Sequence, residues 1–163
     1  GGMSQSVDSP TTGVVPATLL ESPSFQLERL RRRTRDEVEA ALGARGTTMR
    51  GYWVLTCLVE RDASSQASLS ETLAIDASDM VRLIDGLEAQ GWARRERDPK
   101  DRRRQIVTST KKGTKAQAEL AQLVTDAEAA ALDESTGKQL KHLRKLTKAV
   151  LVSDLEPDET KGD

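Results

Sequence analysis

The feature that most constrains this chain is a change of hydrophobic period at Gly91. Before it, Met80, Leu83, Ile84 and Leu87 recur at the spacing of a helix buried along one side, and Asp76 precedes them where a side-chain acceptor caps free amides. After it, Trp92 to Arg97 and Arg104 to Ser109 read as two strands around Asp98, Pro99, Lys100 and Asp101, residue types that favour a turn. Gly91 stands where a helix end wants a left-handed residue. A capped helix that passes at once into a hairpin is a small, specific unit, and the flanking sequence must supply its core.

Upstream, Ser68 and Glu71 have capping-box spacing, so a short third helix should run from there to about Leu73, with Ala74, Ile75 and Asp76 as a tight turn. The first helix begins at Ser24, carries Phe25, Leu27, Leu30, Val38 and Leu42, and closes at Gly43 and Gly46. Thr48 caps the second, whose Tyr52, Trp53, Val54, Leu55, Cys57, Leu58 and Val59 are apolar on nearly every side, as expected of a helix at the centre of a core. Downstream, Thr110 opens a fifth, Ala-rich helix to about Leu132. Thr136 and Gln139 form a second capping box before the Leu140, Leu143, Leu146 and Val150 stripe. These elements describe a mainly α chain with a small two-stranded β-wing, a winged helix-turn-helix in which the second of two short helices enters the major groove.

A chain of 163 residues with 36% hydrophobic content has little apolar material for an isolated core, and only Phe25, Tyr52, Trp53 and Trp92 are aromatic. Terminal helices shared between two copies would relieve that shortage, so a homodimer is expected. The division follows. Residues 1–22 are an expression scar (Gly1, Gly2) and a disordered polar tail; 23–155 form one domain; 156–163 are a disordered acidic tail. Within the domain, about 48–110 is the DNA-binding lobe, and 24–46 and 111–155 are dimerisation helices. No apolar run approaches the ~20 residues of a membrane span, and no basic segment leads into an apolar one, so a cytoplasmic protein without a membrane partner is expected.

The 25 Lys and Arg nearly cancel the 26 Asp and Glu, which excludes a uniformly basic coat and makes local charge decisive. From Arg94 to Arg104 seven cations (Arg94, Arg95, Arg97, Lys100, Arg102, Arg103, Arg104) face three anions (Glu96, Asp98, Asp101), a net charge of +4. A turn tip carrying Arg102 and Arg103 suits phosphates or a narrow minor groove. On the helix before it, steps of 100° turn Met80, Ile84 and Leu87 inward and Ser78, Arg82, Asp85 and Ala89 outward. Arg82 can donate two parallel hydrogen bonds to guanine O6 and N7, so double-stranded DNA is the expected partner.

The stretch IDASDMVRLIDGLEAQGWARRERDPKDRRRQIVTSTKKG, from Ile75 to Gly113, resembles the MarR (multiple antibiotic resistance regulator) family, and the similarity in element order extends from about Phe25 to Leu155. The resemblance implies a homodimeric transcription regulator, usually a repressor, on a palindromic operator. It also implies release by a small aromatic or phenolic ligand between the DNA-binding lobe and the dimer helices. Carried over by position, Arg82 matches the recognition-helix arginine. Asp101, Arg102 and Arg103 match the Asp-x-Arg wing, with Arg103 inserting into a groove and Asp101 orienting it, while Asp85 matches an acidic position that braces the wing. The DNA-binding set is then Ser78, Asp79, Arg82, Arg95, Arg97, Lys100, Arg102, Arg103 and Arg104. Asp79 and Val81 depart from the family's small hydroxyl residues. Asp79 follows Asp76 by three positions, where a carboxylate suits a helix N-terminus, and a capping role accounts for it.

Tyr52, Trp53 and Cys57 fall where the resemblance puts the ligand pocket, although aromatic residues on a buried helix are more often plain core. Cys57, the only cysteine, cannot form an intramolecular disulfide. A redox-sensing regulator would need it exposed beside a cation, whereas a small buried hydrophobe is the commoner outcome. His142 is the only histidine and lies among Lys141, Arg144 and Lys145, so neither a metal nor another cofactor is expected. No catalytic triad, phosphate loop or positioned carboxylate pair is recognisable, which argues against an enzyme. The alternative from another class is a winged-helix protein-interaction module without specific DNA binding, for which a +4 hairpin has no use.

Overall fold

Short polar side chains set most of the helix boundaries. The computed structural model describes residues 13–133 and 136–155. Within the stretch expected to be a tail, Ala17–Leu20 forms one helical turn, α1, packed against α2 (Pro23–Gly43). Residues 1–12, with the expected scar, and 156–163, with the expected acidic tail, lie outside the described residues.

Thr48 accepts from the Gly51 amide at 3.0 Å and opens α3 (Met49–Glu60). Asp76 accepts from the Asp79 amide at 2.9 Å before α5 (Ala77–Ala89), and Thr110 from the Gly113 amide at 3.0 Å before α6 (Lys111–Ala131). Thr136 and Gln139 bond reciprocally at the start of α7 (Gly137–Leu155). The first expected capping box is corrected. The cap of α4 (Gln66–Leu73) is Ser65, which accepts from the Ser68 amide at 3.0 Å, so Ser68 already lies inside the helix. The reason is non-local, because Ser64 exchanges two backbone hydrogen bonds with Val107, holding the chain extended up to Ser65.

The wing strands are β1 (Ala93–Arg97) and β2 (Gln105–Ser109), antiparallel with Ala93 opposite Ser109 and Arg97 opposite Gln105. Gly91 has φ +78° and closes α5, as its position requires. The core gathers Leu42 from α2, Val54, Leu55 and Leu58 from α3, Met80, Ile84 and Leu87 from α5, Val107 from β2 and Leu120 from α6. Each such side chain contributes ~1.5–3 kcal/mol on leaving water, so loss of any one threatens the lobe. α2 lies along α6 beneath the lobe.

Gly113 is fixed by close approach rather than by φ. A Cβ there would lie 2.0 Å from the Trp92 carbonyl oxygen, which also accepts the Thr110 amide at 3.0 Å. The base of the wing and the first turn of α6 are therefore in backbone contact.

Candidate nucleic-acid interface

The turn between α4 and α5 depends on Ala74, at φ 53° and ψ 47°, the one non-glycine residue with positive φ among those described. Ile75 is buried beside it and anchors the turn. On α5, Met80, Ile84 and Leu87 face the core, while Ser78, Arg82, Asp85 and Ala89 are exposed, as the 100° stepping predicts. Val81 shares the outer face at 39% exposure. The Ser78 hydroxyl donates to Asp76 Oδ1 at 2.8 Å. With the Asp79 amide and then this hydroxyl donating to it, the Asp76 carboxyl is held below the usual carboxylate range.

Asp79 is not a cap. Its amide serves the Asp76 cap, but its carboxylate joins Arg82 on the same helix and stands 3.7 Å from Arg50 of α3. Arg50 was not singled out from the sequence, because nothing local links the start of α3 to the first turn of α5.

Arg95 also departs from expectation. Counted among DNA contacts, it instead lies under the wing with its side chain 16% exposed. Its Nε donates to Gln66 Oε1 at 2.8 Å, Nη2 to the Val81 carbonyl at 3.1 Å, and Nη1 pairs with Asp85 at 2.8 Å and with Glu88. Its amide donates to Glu88 Oε2 at 3.0 Å. With its donors so engaged, Arg95 ties α4, α5 and β1 together and has little left for a groove. Asp85 thus touches the base of the wing rather than its tip. Gln66 and Glu88 were missed in the sequence because the contacts cross element boundaries.

The hairpin turn is internally bonded. Asp98 receives the Lys100 amide at 2.8 Å on its side chain, and its own amide reaches the Arg104 carbonyl at 2.9 Å. Asp101 accepts from the Arg103 amide at 3.1 Å, from Arg103 Nε at 3.0 Å and, through its other oxygen, from Nη2 at 3.3 Å. The Arg103 side chain and then its amide lower the Asp101 carboxyl below its ordinary value. The Arg103 side chain is nevertheless 91% exposed. Lys100, Arg102 and Arg104 are also exposed, and Arg97 donates to the Arg102 carbonyl at 3.3 Å, bracing the tip.

Tyr52 and Trp53 line a cleft of about 600 Å³ between α2, α3 and α6, together with Arg31, Arg35, Arg50 and Glu128. Cys57, expected with them, does not line it. It lies farther along α3 against the core, where burial pushes its thiol pKa up, the opposite of what a reactive thiolate needs. Among the described residues, no cluster of three or more His, Cys, Asp or Glu is placed to hold a metal, and no helix is long and apolar enough to cross a membrane.

Two short helices about a tight turn, followed by an arginine-tipped hairpin, define a winged helix-turn-helix protein. Residues 47–104 match the family model described as MarR family. A candidate transcriptional regulatory protein for the hcr operon of Thauera aromatica is 32% identical over 79 residues, 48% of this chain and 48% of that protein. The chain thus spans about half the length of the curated relative it matches. Among solved structures, CouR from Rhodococcus jostii RHA1 bound to p-coumaroyl-CoA is similar at 25% identity and a TM-score of 0.69, covering 83% of this chain and 95% of that one. A mutant MarR from E. coli complexed with operator DNA shares the fold at 22% identity and a TM-score of 0.66, covering 78% and 92% of the two chains.

Proposed function

We propose that this chain is a DNA-binding transcription regulator that represses as a homodimer on a palindromic operator and is released by a small aromatic or phenolic ligand. The observation that carries the DNA-binding part is the wing. Arg103 is pre-oriented by Asp101 yet almost wholly exposed, beside an α5 face that presents Arg82. Pre-orientation lowers the entropy lost on insertion into a groove, and the surrounding cations attract the duplex. The likeness to an operator-bound MarR supports the same docking, with α5 in the major groove and the hairpin beside it.

The dimer rests on unpartnered apolar surface. None of the described side chains of α7 is buried, and Leu146, Val150 and Leu151 are exposed, as are Leu19, Leu20 and Leu27 of α1 and α2. Most of a helix's stability in a protein comes from packing its apolar face, and a second copy would supply that packing to the 19 residues of α7. For the ligand, the support is the cleft of about 600 Å³ beside Tyr52 and Trp53, and the likeness to CouR with p-coumaroyl-CoA.

The test is affinity for the chain's own upstream intergenic DNA against scrambled DNA across a salt series, with Arg82→Ala and Arg103→Ala alongside. Each variant should weaken selective binding roughly tenfold or more. Equally weak binding to both duplexes, unchanged by either variant, returns the chain to the interaction-module alternative.

A further inference from the structure

Asp79 lies between two arginines that serve different parts of the molecule. Its Oδ1 accepts from Arg82 Nη2, one turn along α5, and its Oδ2 stands 3.7 Å from Arg50 Nη1 at the start of α3. A small cleft of about 330 Å³ joins Arg50, Asp79 and Arg82, and Arg50 also stands in the wall of the larger cleft that holds Tyr52 and Trp53. One carboxylate therefore serves a cation on the DNA side and a cation on the cleft side.

We infer that Asp79 is a positioning residue whose grip on Arg82 is set by Arg50, so that the charge state of the cleft is felt at the recognition helix; this rests on the DNA-binding function proposed above. The side chains of Arg82, Arg50 and Asp79 are 70%, 52% and 36% exposed, so both pairs lie in reach of water and exchange partners readily. Guanine O6 and N7 compete with Asp79 for the same Arg82 donors. Asp79 also repels the phosphates of an approaching duplex unless its charge is taken up. Arg50 takes it up at Oδ2, which leaves Oδ1 a weaker hold on Arg82.

The other cleft cations are already engaged. Arg31 pairs with Glu28 and Arg35 with Asp36, whereas Arg50 pairs with Asp79 and shares both clefts with Glu39. The cleft wall also carries two acids: Glu39 accepts the Met49 amide at 2.7 Å, and burial raises the Glu128 pKa against an opposing pull from Arg144. Arg50 is the cleft cation whose partner carboxylate stands on the recognition helix, so a small aromatic anion that pairs with it would leave Asp79 to Arg82 alone. Ligand and DNA then draw on one ion-pair exchange, the differential interaction that coupling between two sites demands.

The experiment is a double-mutant cycle in DNA affinity, using the wild type, Arg50→Gln, Asp79→Asn and the double variant, on upstream and scrambled duplexes across a salt series. Arg50→Gln should weaken selective binding about three- to fivefold in the wild type and less than about 1.5-fold beside Asp79→Asn, with Arg50→Lys restoring most of the loss. Asp79→Asn alone should bind the upstream duplex more tightly. Equal losses from Arg50→Gln in both backgrounds, with the salt slope reduced by about 0.9, would make Arg50 a direct phosphate contact and overturn the inference. Benzoate, used as the probe anion, should weaken wild-type binding and leave Asp79→Asn unaffected. No benzoate effect on the wild type, or the same effect on both proteins, overturns the coupling. A wild type that does not separate the two duplexes defeats the DNA-binding function, and this inference with it; selective binding with an additive cycle defeats the inference alone.

Discussion

Arg95 and Arg103 stand eight residues apart in the same basic hairpin, yet the structure uses them oppositely. At the base, Arg95 is 16% exposed and shared among Gln66, Asp85, Glu88 and the Val81 carbonyl; at the tip, Arg103 is 91% exposed and, among the described residues, its side chain bonds to Asp101 alone. The base holds the wing against α5 and the tip is left to reach outward. A net charge of +4 counted along the hairpin thus overstates what is free to meet phosphate.

Arg95→Ala should break that contrast most severely. It strands Glu88, Asp85 and Gln66 around a half-filled gap, and urea unfolding should show a loss of about 2–3 kcal/mol. Arg103→Ala should leave the unfolding midpoint nearly unchanged while lowering DNA affinity, so equal destabilisation by the two variants would erase the distinction between base and tip. Asp101→Asn sharpens it further. Losing the carboxylate unlocks the tip without removing its charge, and a binding titration should register a few-fold loss of affinity. The sign with pH follows from the lowered Asp101 pKa: the lock is complete above the ordinary carboxylate range and weakens only as pH falls through the depressed value. The contribution of Asp101 to DNA affinity should therefore be flat around neutral pH and fade in acid. Cys57, on the helix beneath, should show the smallest effect. With its thiol pKa raised by burial, it should react with a disulfide reagent more slowly than a free cysteine at neutral pH, and Cys57→Ser should leave DNA binding unaltered by oxidant.

What the sequence made legible was local. Thr48, Asp76, Thr110 and the Thr136–Gln139 pair each bond to an amide or side chain three residues away, so spacing alone reveals them. The inward and outward faces of α5 follow from helical geometry in the same way. The misplaced cap at Ser68 had its cause in the bridge that joins Ser64 to Val107, forty-three positions further along the chain from Ser64. The clamp on Arg95 and the Arg50–Asp79 pair likewise join side chains from different elements, and no period in the chain encodes which arginine of a basic run will be drawn inside.

The backbone contact between Gly113 and Trp92 makes the wing an extension of α6 rather than an appendage hung on two strands. With 21 residues at 1.5 Å of rise, α6 is an arm about 31 Å long. A tilt of about 10° at its far end would carry the wing some 5 Å sideways, by the geometry of a rigid helix of that length. Because the near end is jammed against a carbonyl, little of that swing can be absorbed where helix meets hairpin. Small movements among the terminal helices would therefore reach the arginine tip magnified.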